Sequence, residues 1–168
     1  RLGRGVAIVG AAMSPFGAFK GQTSRDLFAT AFRELCASVE RGIDPRDIEA
    51  LYLGNFSSDV FEGQAHLAPI IADWCGLTPC PATRIEDACA SGGAALRQGV
   101  LAVASGQHDI VLVGGVEKIP RLPPDRVTDA LPLAADTLYE TPAGFTFAGF
   151  YAAMASAYFA RYGAGPDD

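Results

Sequence analysis

Residues 83–115 read TRIEDACASGGAALRQGVLAVASGQHDIVLVGG, and this stretch decides the fold. Its first part, Thr83 to Ala88, has the look of a strand. Ala90 to Ser105 is rich in alanine, leucine and valine, as a packed helix is, and Gly106 stands where a helix C-cap belongs. Asp109-Ile-Val-Leu-Val-Gly-Gly115 is a short apolar run closed by glycines, the strongest strand signal in the chain. Strand, helix and strand in this order imply a mostly parallel sheet with both faces covered.

The same alternation continues upstream. His66 to Cys75 is apolar enough for a buried helix, closed by Gly76, Pro79 and Pro81, and Ala50-Leu-Tyr-Leu-Gly54 reads as another buried strand. Asp44-Pro45 opens a turn. Before it, Ser24 is placed as an N-cap with Asp26 in the first turn. Leu27, Phe28, Ala31, Phe32, Leu35, Cys36 and Val39 then follow at helical spacing, which predicts one apolar face ending near Gly42. Ala11 to Gly21 is a loop, and Val6-Ala-Ile-Val-Gly10 reads as a first buried strand.

Downstream the texture changes. Ile119 to Pro142 holds five prolines and little periodicity, so it is expected to be an excursion away from the sheet. Gly144 to Tyr162 is a last helix, whose Phe145, Phe147, Phe150, Tyr151, Met154, Tyr158 and Phe159 are expected to be chiefly core. The predicted organisation is α/β throughout: a core over residues 1–118, the excursion over 119–143, and a return helix with a linker over 144–168.

With 168 residues and 49% hydrophobic side chains, the chain has enough apolar material for a real core and is no disordered tail. Its formal net charge of −6 argues against nucleic acid as a partner. No apolar run approaches the ~20 residues that span a bilayer, and the start lacks a signal-peptide pattern. The expectation is a soluble cytoplasmic protein. Cys36, Cys75, Cys80 and Cys89 lie in alanine-rich, core-like surroundings, so free thiols are expected. His66 and His108 stand far from any ligand-spaced cysteine, so no metal site is expected. His66 reads as a surface or capping residue, and His108 as part of a solvated turn.

Cys89 is the residue with chemistry to offer. It falls between a predicted strand and a predicted helix, where unpaired backbone N–H groups and the helix dipole draw thiols toward thiolate. Ala90, Ser91, Gly92 and Gly93 are small enough for a substrate to approach the backbone. The alternative is a buried cysteine at a tight turn. Glu86 and Asp87 would oppose ionisation, so at least one is expected to turn away or be paired. Gly10-Ala-Ala-Met-Ser-Pro-Phe-Gly17 lacks dinucleotide-binding spacing and has Pro15 badly placed.

The motif D-A-C-A-S-G-G-A-A-L around Cys89, together with Val113-Gly-Gly-Val-Glu-Lys118, closely resembles the N-terminal half of thiolases, in the sterol-carrier-protein-type branch rather than the biosynthetic one. The opening V-A-I-V-G-A-A-M-S-P-F-G of residues 6–17 and the segment Phe145-Thr-Phe-Ala-Gly-Phe-Tyr-Ala-Ala-Met154 resemble the same family in the same order. The resemblance implies a five-layer fold of two similar halves, each with a mixed sheet. It implies an acyltransferase of lipid metabolism in which Cys89 takes the acyl group of an acyl-coenzyme A, with its own N–H helping to hold the thioester oxyanion. Coenzyme A thioesters would be substrates, with no resident cofactor. Claisen condensation and thiolytic cleavage are both open.

In the family, the catalytic histidines and a second, basic cysteine lie in the C-terminal half. Neither His66 nor His108 matches those histidines, and Cys36, Cys75 and Cys80 sit in no such motif. The chain is therefore expected to be a fragment. The alternatives are a separate polypeptide that supplies the other half, or a truncated, inactive relative. By resemblance Gly92 and Gly93 pack near the substrate, and Arg121 and Arg126 are candidates for the coenzyme phosphates. Phe147 stands where biosynthetic thiolases place a coenzyme-contacting histidine, which implies a more apolar acyl channel. A homodimer or homotetramer is implied, formed through the strand leading to Cys89. Two other functions stay open: a thiolase-like aldolase working with a small OB-fold companion protein, and a non-catalytic scaffold subunit.

Overall fold

A computed structural model describes residues 3–119, 130–144 and 146–167. It divides into two compact units, Arg1–Pro120 and Arg121–Asp168. The first unit runs α1 (Ser24–Ser38), β1 (Ala50–Gly54), α2 (Ser58–Phe61), α3 (Leu67–Trp74), β2 (Ala82–Ile85), α4 (Ser91–Ser105) and β3 (Val111–Gly115). The three strands form a sheet in the order β2–β1–β3, parallel throughout. β1 is thus central, pairing Leu51 with both Ala82 and Leu112.

Side chains of a strand alternate between faces, and here each face has its own cover. Leu51 and Leu53 share a buried cluster with Leu112, with Leu67, Ala68 and Ile71 of α3, and with Phe28 and Phe32 of α1. The opposite face meets α4. Gly99 sits in the middle of that helix, where glycine is intrinsically poor, because a Cβ there would come 2.4 Å from Val113 Cγ2. Gly106 ends α4 in the left-handed conformation, as its position predicts.

Four expectations about the first unit are corrected. Val6–Gly10 forms no strand, and Ile8 and Val9 are 77% and 67% exposed. An apolar run becomes a strand only when it finds a ladder, and none of the described strands pairs with it. Thr23, rather than Ser24, caps α1: Asp26 accepts both the N–H and the hydroxyl of Thr23 at 2.8 Å. Those bonds hold the Asp26 carboxyl below its ordinary value. Ser24 is instead buried and donates its hydroxyl to Glu62. The helix also stops at Ser38, short of Gly42. His108 is not in a solvated turn: its side chain is 17% exposed, with Nδ1 3.4 Å from Glu49.

The second unit holds short 3₁₀ turns at Leu131–Ala134 and Thr141–Ala143, then α5 (Phe147–Tyr162). The aromatic residues of α5 are not core. None of its residues is buried, and Tyr151, Met154, Tyr158 and Tyr162 stand exposed. Their three- and four-residue spacing puts them along one side of the helix, but that stripe is left uncovered, and the rings pack locally as Phe147–Phe150 and Tyr158–Tyr162 pairs. Phe145 lies outside the described residues. Among the described residues no helix is long and apolar enough to cross a membrane.

Candidate active site

In a parallel sheet, the carboxyl ends of the strands are where loops gather and sites form. Gly54, Ile85 and Gly115 stand side by side at this edge. The chain leaving β2 reaches α4 through Glu86 and Asp87 and one 3₁₀ turn, Ala88–Ala90, with Cys89 at its centre.

The turn is strained. Ala88 has φ 44°, a conformation that costs a residue with a Cβ about 1–3 kcal/mol and persists only where the surroundings hold it. Its N–H donates to Glu86 Oε1 at 2.6 Å. Its carbonyl accepts the Ser91 hydroxyl at 2.7 Å, while the same hydroxyl accepts the Asp87 N–H at 2.8 Å. Glu86 is thereby paired, as the ionisation argument requires of at least one of the two acids. Ser91 is buried. Beneath it lies the end of β1, and a Cβ on Gly54 would stand 2.7 Å from the Ser91 carbonyl oxygen and 2.8 Å from Gly92 Cα. The entry to α4 therefore rests directly on sheet backbone.

Cys89 faces outward from this support. It is exposed and lines an open concavity of about 540 Å³ with Asp87, Ala90, Gly93, Ala94, Arg97 and Gln98. Gly92 is its neighbour, and a Cβ at Gly92 or Gly93 would meet open space. Cys36, Cys75 and Cys80 differ. All three are half-buried free thiols packed against the core. Burial pushes their thiols up, that of Cys75 to about 11.

A second polar group sits at the same sheet edge. Asn55, 2% exposed, donates to the Val116 carbonyl at 2.8 Å and to Glu117 at 3.3 Å. Glu117 also accepts the Phe56 N–H at 2.8 Å. Burial raises the Glu117 carboxyl above its ordinary value, against the pull of the Phe56 and Ser57 amides and of Arg84. Arg84 binds the carbonyls of Asn55 and Phe56 and pairs with Asp59 at 2.9 Å. This clamp, which joins the loops after β1 and β3, escaped the sequence reading. Its one signal is an acid two residues beyond a strand at the carboxyl edge.

Of the residues singled out in sequence, Cys89 and Gly93 line the concavity, with Gly92 beside them. Phe147 opens α5 in the second unit. Arg121 and Arg126 lie outside the described residues. His66 is exposed at the N-cap of α3.

Comparison with known proteins matches residues 6–141 to the thiolase N-terminal domain. The chain is similar to the acetyl-CoA acetyltransferase of Methanothermobacter thermautotrophicus, 43% identical over 160 residues that cover 95% of this chain and 41% of the relative. The acetyl-CoA acetyltransferase of Methanocaldococcus jannaschii is 46% identical over 160 residues, 95% of this chain and 40% of the relative. A mitochondrial acetyl-CoA acetyltransferase of Danio rerio is 31% identical over 121 residues, 70% of this chain and 28% of its own length. The chain thus spans about two fifths of the first two relatives.

Proposed function

The chain belongs to the thiolase family, whose N-terminal domain it matches over most of its length, and on that premise we propose that the protein is an acyl-CoA thiolase with Cys89 as its acyl acceptor. One observation carries the proposal: Cys89 alone of the four thiols is exposed, on a strained turn above the sheet edge and in an open concavity. The names of the relatives point the substrate toward acetyl-coenzyme A.

The chemistry is a transthioesterification followed by acyl transfer. Cys89 Sγ forms a bond to the thioester carbonyl carbon, the bond from that carbon to the coenzyme sulfur breaks, and the thiol proton leaves with coenzyme A. Dividing the reaction through this acyl-cysteine replaces one hard step with two easier ones. In condensation the acyl carbon then bonds to the α-carbon of a second thioester as its bond to Cys89 Sγ breaks, and the proton displaced from that α-carbon restores the thiol. In cleavage Cys89 Sγ instead bonds to the 3-keto carbon of a 3-ketoacyl thioester, the bond from that carbon to the α-carbon breaks, the α-carbon takes the thiol proton, and free coenzyme A then takes the acyl group and returns its proton to Cys89. The Cys89 N–H, at the entry to α4, is a donor for the oxyanion. Gly92 and Gly93 keep the approach to the sulfur open, Arg121 and Arg126 take coenzyme phosphates, and Phe147 lines the acyl channel.

Four free thiols fit a reducing compartment, and a cytoplasmic location belongs to the same proposal. So does a homodimer or homotetramer, which the outer position of β2 in the sheet order supports. The domain assignment proposed is a core over residues 1–118, an excursion over 119–143 and a return segment over 144–168.

The test is intact mass and peptide mapping after brief incubation with acetyl-coenzyme A. One acetyl group on Cys89, absent from the Cys89→Ala variant, is expected. Acetylation that persists in that variant, or none in the parent protein, overturns the proposal.

A further inference from the structure

We infer that Ser91 is a positioning residue for Cys89, its buried hydroxyl holding the strained turn that presents the thiol; the inference rests on the acyl-transfer reading above. A serine near a helix start ordinarily serves as N-cap and satisfies the helix's own first N–H groups. Ser91 does something else. It is the first residue of α4, the N-cap position belongs to Ala90, and the Ser91 side chain reaches backward, out of the helix. Its oxygen accepts from the Asp87 N–H at 2.8 Å and donates to the Ala88 carbonyl at 2.7 Å. Both bonds act on the two residues immediately before Cys89, and one acts on the residue whose φ of 44° disfavours any side chain.

Two other features make the hydroxyl the controlling group. Glu86, which holds the Ala88 N–H, is exposed, so water competes for that bond. Ser91 is 5% exposed, and hydrogen bonds made away from water are the stronger ones. Ser91 also cannot sink toward the sheet, because the Gly54 backbone lies directly against its carbonyl and against Gly92. Strand β1, Ser91, Ala88 and Cys89 thus form one connected support. In the step it serves, the Cys89 Sγ–carbon bond forms, the carbon–sulfur bond to coenzyme A breaks, and the proton leaves on the coenzyme thiol. Ser91 itself is unchanged.

The experiment compares the full-length protein with its Ser91→Ala variant and with Ser91→Ala combined with Ala88→Gly. Three quantities are measured: the rate of Cys89 acetylation by acetyl-coenzyme A, the rate of Cys89 alkylation by iodoacetamide, and the labelling of Cys36, Cys75 and Cys80. A small displacement of a reacting group can lower its rate by as much as about 100-fold. Ser91→Ala is therefore expected to slow acetylation by about 10- to 100-fold. Iodoacetamide, which makes no demand on orientation, reacts with Cys89 much as before, and the three core thiols stay protected. Ala88→Gly removes the Cβ that makes the turn strained, so the double variant recovers part of the lost rate.

An unchanged acetylation rate in Ser91→Ala overturns the inference. So does a loss that appears only together with labelling of the core thiols, and so does a double variant with no recovery. A parent protein that is not acetylated at all refutes the acyl-transfer reading instead.

Discussion

Gly54→Ala joins the stability of the fold to the placement of the thiol. The glycine is not in the left-handed region, so alanine meets no backbone strain there. What it meets is backbone: the Ser91 carbonyl oxygen at 2.7 Å, and Gly92 Cα and N at 2.8 Å. Backbone cannot rotate away as a side chain can. Relief from 2.7 Å to the 3.4 Å at which ordinary contact begins requires the start of α4 to lift from β1 by about 0.7 Å. Overpacking of this kind costs about 1–3 kcal/mol. In a protein of this size each kcal/mol moves the melting temperature by roughly 2–4 °C, so a fall of about 2–12 °C is expected.

The lift also moves the turn that carries Cys89, and a displacement near 1 Å can cost as much as about 100-fold in rate. Thermal unfolding and Cys89 acetylation are measured on one preparation. Gly93→Ala is the control, because its Cβ enters open space inside α4, where alanine is the better helix former. It should leave the melting temperature unchanged or higher, while slowing acetylation if the residue borders the substrate. A Gly54→Ala protein with the parent's melting temperature and acetylation rate refutes the reasoning.

Two pH dependences follow from partly desolvated groups. Glu117 is raised by burial, so the folded state holds its proton more tightly than the unfolded chain does. Its contribution is present below the ordinary glutamate value of 4.5 and is lost as pH rises through the higher folded value. Glu117→Gln should flatten that part of the stability curve and, since an amide cannot accept every N–H the carboxylate does, weaken the clamp by about 0.5–1.5 kcal/mol. Urea titrations across mildly acidic pH check both. Cys75 is raised from 9.0 to about 11, again by burial, so stability should decline as pH climbs between those values. Cys75→Ala should decline less steeply over the same interval, and identical slopes would count against the burial argument.

The parts of the fold legible in sequence were those fixed by local pattern. The run from Thr83 to Gly115 folds as strand, helix and strand, Gly106 caps α4, and the apolar stretch after His66 is α3. The placement of Cys89 was legible as well, because a cysteine between a strand and a helix is a matter of chain order. Features that depend on distant partners were not legible. Val6–Gly10 has the composition of a strand, yet pairing is decided by what lies alongside. The aromatics of α5 have the spacing of a packed stripe, yet none of them is buried, and spacing alone does not tell what will cover a face. Ser91 carries the same ambiguity at smaller scale, since nothing in its neighbours tells whether its hydroxyl turns into the helix or back toward Ala88. The Asn55–Glu117 clamp joins residues 62 positions apart, which no local window contains.

The central place of β1 has a consequence for synthesis. The sheet closes only when Gly115 is available to pair with Gly54, some 61 residues after β1 has been made. At ribosomal rates of about 5–20 residues per second, that interval is roughly 3–12 s. Throughout it Leu51 and Leu53, both fully buried in the finished structure, have no complete sheet to enter. The nascent chain thus carries a sticky segment for seconds, a natural hold for chaperones, and translation speed between the codons for Asn55 and Gly115 becomes a determinant of yield.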